Sequence, residues 1–558
     1  MALGQDTVHR ANPNVRTIMS QRFPVTLSSH ARRWAVELTE QKSVTGTDGE
    51  AAFGPWLAGE LRRETAFRNA EVWTIEIGPR DGRHCVAMLL RGTGRSTVLL
   101  TGHYDTVGTS DYRHLEHLAT RPEALTRALR DCLVAAEAPA ARLAHHDLAG
   151  GDFLAGRGLL DMKAGLAAGL SVCADFAGEA KPSGNLLFIA VPDEENNSAG
   201  ARKAARMLPE ICEERDLDLI AAINLDAIAD DGDGSKGRVI ALGTVGKLLP
   251  TAFVVGVPTH SGFPLNGLNA AAIAAAIAAR LEWAPELTEE GGSAPGTPPS
   301  LLGIRDGKTG YDVTTPRVAY ASFNVLSYRR TPTEVLDRFD KLCAEAASRL
   351  LQELQSRVSA TTGQVDTARS VPVHRYETLI ERLGQPERAQ LEAVAASIAA
   401  GDLALPEKCR LITEQAWELS RLTGPAIVTG FGSIPYLPTN LSELPAAARL
   451  RAAAVTVAAE AMARHGSAVG CADYFAGISD MSFLGEAEEA SLDIVARNTP
   501  AWKDSVRWPP RRALANIPTI NIGPWGRDYH TPLERLHVGY AFEVLPQLLR
   551  DICRKLLG

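Results

Sequence analysis

Between Ser96 and Asp231 the chain alternates strand-length apolar runs with helical stretches, and the runs keep ending on acids or histidine. "STVLLTGHYDTV" leads into His103 and Asp105, "NLLFIAVPDEEN" into Glu194 and Glu195, and "LIAAINLDAIADD" into Asp226. "GLLDMKAGLAAGLSVCADFAG" is a loop carrying Asp161 that enters an Ala/Leu helix, and "AGARKAARMLPEIC" reads as the next helix. This alternation restricts the chain to an α/β sheet with helices on both faces. In such sheets ligands gather at the carboxyl ends of the strands. Successive strand side chains point to opposite faces, so Glu194 and Glu195 share a cavity only where the strand has just ended.

At 558 residues the chain exceeds one hydrophobic core, and more than one domain is expected. The expected fold class is α/β: a catalytic domain with a mixed central sheet and flanking helices, and a smaller α/β block inserted into it. Residues 1–234 form the first part of the catalytic domain in this reading. The insert spans 235–358. It runs from "GRVIALGTVGKLLPTAFVVGVPTHSG" through the helix "GLNAAAIAAAIAARLEW", the Gly/Pro loop "EEGGSAPGTPPS" and the strand "RVAYASFNVLSYRRTP" to a closing helix. Residues 359–558 complete the catalytic domain. They include a mostly helical stretch at about 360–515 with no chemical motif, then the strand "IPTINIG", a Gly-rich loop bearing His530, and a last helix.

Several classes are disfavoured. The net charge of −8 is mild for this length and argues against a nucleic-acid or anionic-membrane surface. No apolar run approaches the roughly 20 residues that span a bilayer, and "MALGQDTVHRANPN" carries no basic-then-apolar signal segment. The eight cysteines are scattered without a C-x-x-C pair, which points to reduced thiols in a cytoplasmic protein.

Taken singly, each acid or histidine is an ordinary loop residue. Taken together, at strand ends that are neighbours in space, they supply imidazole and carboxylate donors with no thiolate. That donor set suits zinc or a related divalent ion in an open, catalytic site. One carboxylate shared by two ions about 3.5–4 Å apart makes a two-metal hydrolytic centre. Such a centre also needs an acid off the metals to move the water proton, and an adjacent pair of glutamates meets both needs.

"TGHYDTV", "GRGLLDMKAG", "VPDEEN", "NLDA" and "GPWGRDYHTPLE" occur in that order along the chain. They resemble the five motif segments of the zinc aminoacylase/carboxypeptidase family. The resemblance implies that His103 and Asp226 bind one metal, Glu195 and His530 the other, and that Asp161 bridges them. Asp105 would hold the His103 ring, the usual need of a metal-bound imidazole, and Glu194 would be the general base. The family also implies a cis Asp161–Met162 peptide. The inserted block resembles the family's lid, or dimerisation, domain. Its segment "GVPTHSG" implies that His260 stabilises the oxyanion, in dimeric members from the partner chain; the plainer reading is a histidine that caps a turn. Arg329 and Arg330 lie where family members carry an arginine for the substrate carboxylate, and a surface role for either stays open. "YDVTTP" departs from the family in placing Asp312 where an Asn is usual, which suggests a substrate with a cationic or donor group. "GISDMSF", "NTPAW", "NIGPWGRDYH" and the long region after the lid resemble the arginine-utilisation RocB-like branch.

The resemblance therefore implies a two-metal amidohydrolase, with zinc, cobalt or manganese, acting on a small N-acyl amino acid or short peptide. Dipeptidase or aminopeptidase activity and ureido or carbamoyl hydrolysis are the enzymatic alternatives, and a catalytically silent metal-dependent binding protein is the non-enzymatic one. The expected partner is a small-molecule substrate, with no nucleic acid and no membrane. A homodimer through the lid is the family default.

Overall fold

The computed structural model describes residues 26–78, 81–289, 296–362, 370–441, 447–475, 477–484, 489–506, 508 and 517–558. The "MALGQDTVHRANPN" segment and the centre of the Gly/Pro loop lie outside them. The strands of the two main sheets run β1 (Glu71–Glu76), β2 (His84–Arg91), β3 (Thr93–His103), β4 (Ser183–Val191), β5 (Asp218–Asn224), β6 (Val239–Ala241) and β7 (Gly246–Leu248). They continue with β8 (Pro250–Val255), β9 (Ser300–Asp306), β10 (Val318–Ser327), β11 (Val373–Arg375), β12 (Ala426–Phe431), β13 (Gly470–Ala472) and β14 (Thr519–Asn521).

The first sheet has the order β1-β2-β4-β3-β5-β14-β6-β13. Its middle strands β4, β3, β5 and β14 are parallel, and antiparallel pairings join β2 and β6 to them. The sheet is mixed, as expected. Period-2 alternation divides its side chains between two cores. Leu100, Leu186 and Ile223 face the helices Leu27–Glu40, Ala164–Gly178 and Leu545–Leu557, while Leu99, Leu187 and Ala222 face the helix Ala199–Arg215. The Ala164–Gly178 helix lies close because Gly165 has no side chain: a Cβ there would collide with the Leu225 carbonyl, one residue before Asp226.

The second sheet has the order β7-β10-β8-β12-β11, with β9 paired to β10. The helices Ala270–Leu281 and Pro332–Thr362 cover one face, and Tyr376–Glu381, Gln385–Ala400 and Leu405–Ser420 the other. This sheet reaches past the expected insert of 235–358. Two of its strands, β11 and β12, come from the stretch read as mostly helical, and β12 pairs along its whole length with β8. "AIVTGF" is short and flanked by helices, and its partner lies more than 170 residues back. Local periodicity carries no trace of such a pairing. The helix Ala448–His465 then returns to the first core, against Leu545–Leu557.

No helix among the described residues is long and apolar enough to cross a membrane. All eight cysteines are unpaired thiols.

One buried group gives the fold an acid sensitivity of its own. His30 is 5% exposed; Nε2 accepts from Trp34 Nε1 at 3.3 Å and Nδ1 has no hydrogen-bond partner among the described residues. Burial, then the Arg33 charge, brings its pKa from 6.5 down to about 4. A depressed folded value means the unfolded chain binds the extra proton. Its contribution is intact above pH 6.5 and is lost as the pH falls toward 4, by roughly 3 kcal/mol in all. Urea midpoints measured from neutral pH downward should fall less steeply for His30→Gln than for the wild type. Equal slopes would assign the acid loss to other groups.

Candidate metal centre

The parallel strands bring the candidate residues to one edge. His103 ends β3 and pairs in register with Val191, three residues before Glu194. Thr101 pairs with Asn224, two before Asp226, and Asn521 pairs with Asn224 from the other side. His530 follows nine residues after Asn521, at φ 62°, on the Gly-rich loop. Asp161 is the exception to the strand-end reading: it sits in the tight turn Leu159–Lys163 that leads into the helix Ala164–Gly178. The Asp161–Met162 peptide is cis.

Asp161 stands between two imidazoles. Its Oδ1 lies 3.1 Å from His103 Nε2 and its Oδ2 3.2 Å from His530 Nε2. His103 Nε2 is 3.8 Å from Asp226 Oδ1, and His530 Nε2 is 3.1 Å from Glu195 Oε1. Two groups result, His103–Asp161–Asp226 and Asp161–Glu195–His530, and within each the donor atoms lie within 4.8 Å of one another. Glu194 belongs to neither group; its Oε2 is 4.0 Å from His103 Nε2.

The charges explain what such a cluster requires. Burial raises the proton affinity of Glu194, Glu195 and Asp226, and each is raised further by neighbouring carboxylates. Burial acts on Asp161 in the same sense, but its hydrogen bonds to the two imidazoles hold it well below the usual carboxylate range. The imidazoles respond in turn. Against burial, Asp161 and Asp226 hold His103 well above its ordinary value, and Asp161 and Glu195 lift His530 to about 10. Fully ionised, Asp161, Glu194, Glu195 and Asp226 would together carry four negative charges, the amount that two divalent cations neutralise. The donors, imidazole nitrogen and carboxylate oxygen without sulfur, fit such ions.

Asp105 contacts the His103 ring and the double glutamate alike. The His103 ring bonds through Nδ1 to the main-chain carbonyl of Asp105 at 3.0 Å, and the Asp105 carboxylate is 3.7 Å away. That carboxylate accepts the backbone N–H groups of Glu194 (3.1 Å) and Glu195 (3.2 Å) and the Thr45 hydroxyl (2.9 Å). It therefore aims the double glutamate. Asp193, at φ 71°, starts that turn and is clamped by Arg83, which also reaches Glu50.

Other residues were missed by the sequence reading. Asn521 brackets Asp226: its Oδ1 accepts the Asp226 N–H at 3.0 Å and its Nδ2 donates to the Asp226 carbonyl at 2.9 Å. Gly523 lets this loop approach, since a Cβ there would strike the Asp226 backbone. Asp480, in "GISDMSF", is 3% exposed, with neither oxygen hydrogen-bonded among the described residues; burial raises its pKa to about 7. An Asn in an apolar strand and an acid between apolar residues were the available signals.

Among the described residues, no hydrogen bond or ion pair of the cluster side chains reaches His260, Asp312, Arg329 or Arg330. His260 is exposed, its Nδ1 accepting from Gly262 N–H at 3.0 Å, and its segment bridges to Thr314. Asp312 is also exposed. Its Oδ1 accepts from Lys308 Nζ and from Thr314 N–H, both at 2.7 Å, so it braces the loop opposite His260. The Arg330 guanidinium donates to the Glu286 and Thr288 carbonyls at 3.2 and 3.0 Å, and the N–H groups of Arg329 and Arg330 to Glu289. Both arginines thus help close the turn beyond β10.

The class so defined is an α/β protein with two adjacent residue groups able to hold metal ions and one aspartate common to both. The chain belongs to peptidase family M20/M25/M40, whose model matches residues 131–497, and is with that family a hydrolase of peptide or amide bonds. It is 33% identical over 528 residues to protein YqjN of Bacillus subtilis (strain 168), covering 92% of this chain and 93% of that one. It is 29% identical to protein RocB of the same organism over 93% of this chain and 94% of RocB, in keeping with the RocB-like motifs. A tripeptidase from Staphylococcus aureus shares the fold with a TM-score of 0.53 at 16% identity, covering 95% of this chain and 98% of that structure.

Proposed function

We propose that this chain is a two-metal hydrolase that cleaves the amide bond of a small N-acylated amino acid or short peptide, arginine derivatives included. One observation carries the reading: Asp161 presents one oxygen to His103 and the other to His530, 3.1 and 3.2 Å away, as a carboxylate shared between two ions would. His103 and Asp226 would hold one ion and Glu195 and His530 the other, with Asp161 common to both. Zinc is the first choice for these donors, and cobalt and manganese use the same set. Bound there, divalent ions supply Lewis acidity to the scissile carbonyl and acidify water.

The chain's own residues do the rest. Glu194, beside the ligands but outside both groups, takes the proton of the attacking water and returns it to the leaving nitrogen. Its burial among acids favours holding that proton in between. Asp105 fixes the Glu194 backbone. His260 is assigned to the oxyanion, reaching it by closure of the second unit or from a second copy in a homodimer. Similarity to RocB supports arginine-related substrates, and the unpaired thiols agree with a cytoplasmic setting.

Metal analysis and a panel of N-acyl amino acids, dipeptides and carbamoyl compounds, led by arginine derivatives, test the proposal. The expected result is two ions per chain and turnover of an N-acyl amino acid or dipeptide. A folded chain that takes up no divalent ion would overturn it. Asp105→Asn should lower kcat about 10–100-fold, since an amide cannot accept both N–H groups of the double glutamate. Unchanged kcat would leave the aim of Glu194 to Arg83 and Asp193.

A further inference from the structure

We infer that the buried ion pair Arg157–Glu534 is a positioning device for the second metal ion: it holds the His530 loop against the Asp161 turn. Both residues lie in motif segments whose ligands are already placed, and the mechanism above uses neither. Arg157 stands in "GRGLLDMKAG", four residues before Asp161, and Glu534 closes "GPWGRDYHTPLE", four residues after His530. Each is 1% exposed.

The pair joins three segments that carry cluster residues. Arg157 Nη1 donates to Glu534 Oε2 at 2.7 Å, across 377 positions of sequence. Glu534 Oε1 accepts the Gly158 N–H at 2.9 Å, three residues before Asp161. One carboxylate therefore fixes the His530 loop to the Asp161 turn by two bonds. Arg157 Nε donates to the Gly108 carbonyl at 3.0 Å, on the loop that leaves His103 and Asp105, and Nη2 to Asp111 Oδ2 at 2.5 Å. The Tyr112 ring covers the guanidinium, its centroid 5.1 Å from Cζ. Gly158, at φ 73°, lets the turn close in, since a Cβ there would strike the Thr106 side chain.

A buried ion pair adds little stability over an apolar pair of similar volume, because desolvation of the two charges offsets their attraction. What it does supply is geometry, since a planar guanidinium fork meets a carboxylate at set distances and angles. The second group needs that geometry more than the first. His530 sits on a loop with its side chain 41% exposed, whereas His103 is buried at the end of a central strand. Arg535 braces the His530 loop from within, through Asp528 and the Leu533 carbonyl. Glu534 ties that loop to the turn bearing the shared aspartate. The donors of Asp161–Glu195–His530 thus depend on the pair, while Asp226 and His103 are held by the sheet. This inference rests on the two-metal reading above.

Cobalt titration of the full chain, followed by calorimetry and visible absorption, tests the pair beside hydrogen exchange of the metal-free chain. Glu534→Gln offers one oxygen to two donors. It should weaken one of the two cobalt ions about tenfold to a hundredfold and leave the other near wild-type affinity. Amides around Gly158 and His530 should exchange about tenfold faster in that variant, with those of β3 and β4 unchanged. The double variant Arg157→Met/Glu534→Met separates positioning from stability. It should keep a urea midpoint near that of the wild type and still lose affinity for one ion. Wild-type affinity for both ions in either variant, equal weakening of both, or unchanged exchange in Glu534→Gln would each overturn the inference. Should these variants fail to fold, Glu534→Asp keeps the charge and shortens the reach by one methylene: a weakened single ion supports the tie, and two ions at wild-type affinity overturn it. Failure of the two-metal reading registers separately, as a wild-type chain that takes up no cobalt while the Glu534-dependent exchange protection stands.

Discussion

Glu194→Gln should reduce kcat by about a hundredfold to ten-thousandfold, the usual contribution of a positioned general acid–base group. Metal content should be unchanged. The separation is expected because Glu194 lies outside both donor groups, 4.0 Å from His103 Nε2, while Glu195 contacts His530 at 3.1 Å. Glutamine has nearly the same volume and keeps the turn, whose backbone N–H groups are fixed by Asp105 whatever the side chain. What disappears is the group that accepts a proton. Metal analysis beside steady-state kinetics checks the result. A variant that turns over at the wild-type rate would remove Glu194 from the mechanism, and one that loses its metal would make Glu194 a ligand.

The second large effect belongs to Asp161→Asn. An amide offers one oxygen and one N–H donor face, so it cannot present oxygens to both His103 and His530, as the carboxylate does at 3.1 and 3.2 Å. Residues that merely orient metal ligands cost 10–100-fold in affinity when replaced. Loss of a donor common to both groups should therefore weaken metal binding more than about a hundredfold and abolish turnover with it. The fold should survive, because the four-strand parallel core does not depend on this side chain. Metal titration followed by calorimetry reads the loss directly. Retention of two ions at near wild-type affinity would show that Asp161 is not shared.

Much of the centre could be read along the chain, for a physical reason. A parallel α/β sheet places the carboxyl ends of its strands in one row, so apolar runs ending at His103, Glu194 and Asp226 already implied a common site. Where the structure adds to that reading, the chain offered no local signal. Asp105 has the spacing of a ring-orienting carboxylate, yet the fold turns its main-chain carbonyl to His103 and its oxygens to the glutamate turn. Arg329 and Arg330 have the type and place of a substrate arginine, and the structure adds that their backbone N–H groups and the Arg330 guanidinium close the turn at Glu286–Glu289. Charge type shows in a sequence; the partner a charged group finds does not.

The same line divides the whole molecule. Period-2 apolar runs, an Ala/Leu helix after Asp161 and the ordered motifs settled the α/β class and the row of donors, because burial periodicity and donor chemistry are local properties. Only the tertiary structure decided that β12 joins the second sheet and that Asn521 brackets Asp226. Those features are contacts between segments far apart in the chain, which folding creates and no local pattern encodes.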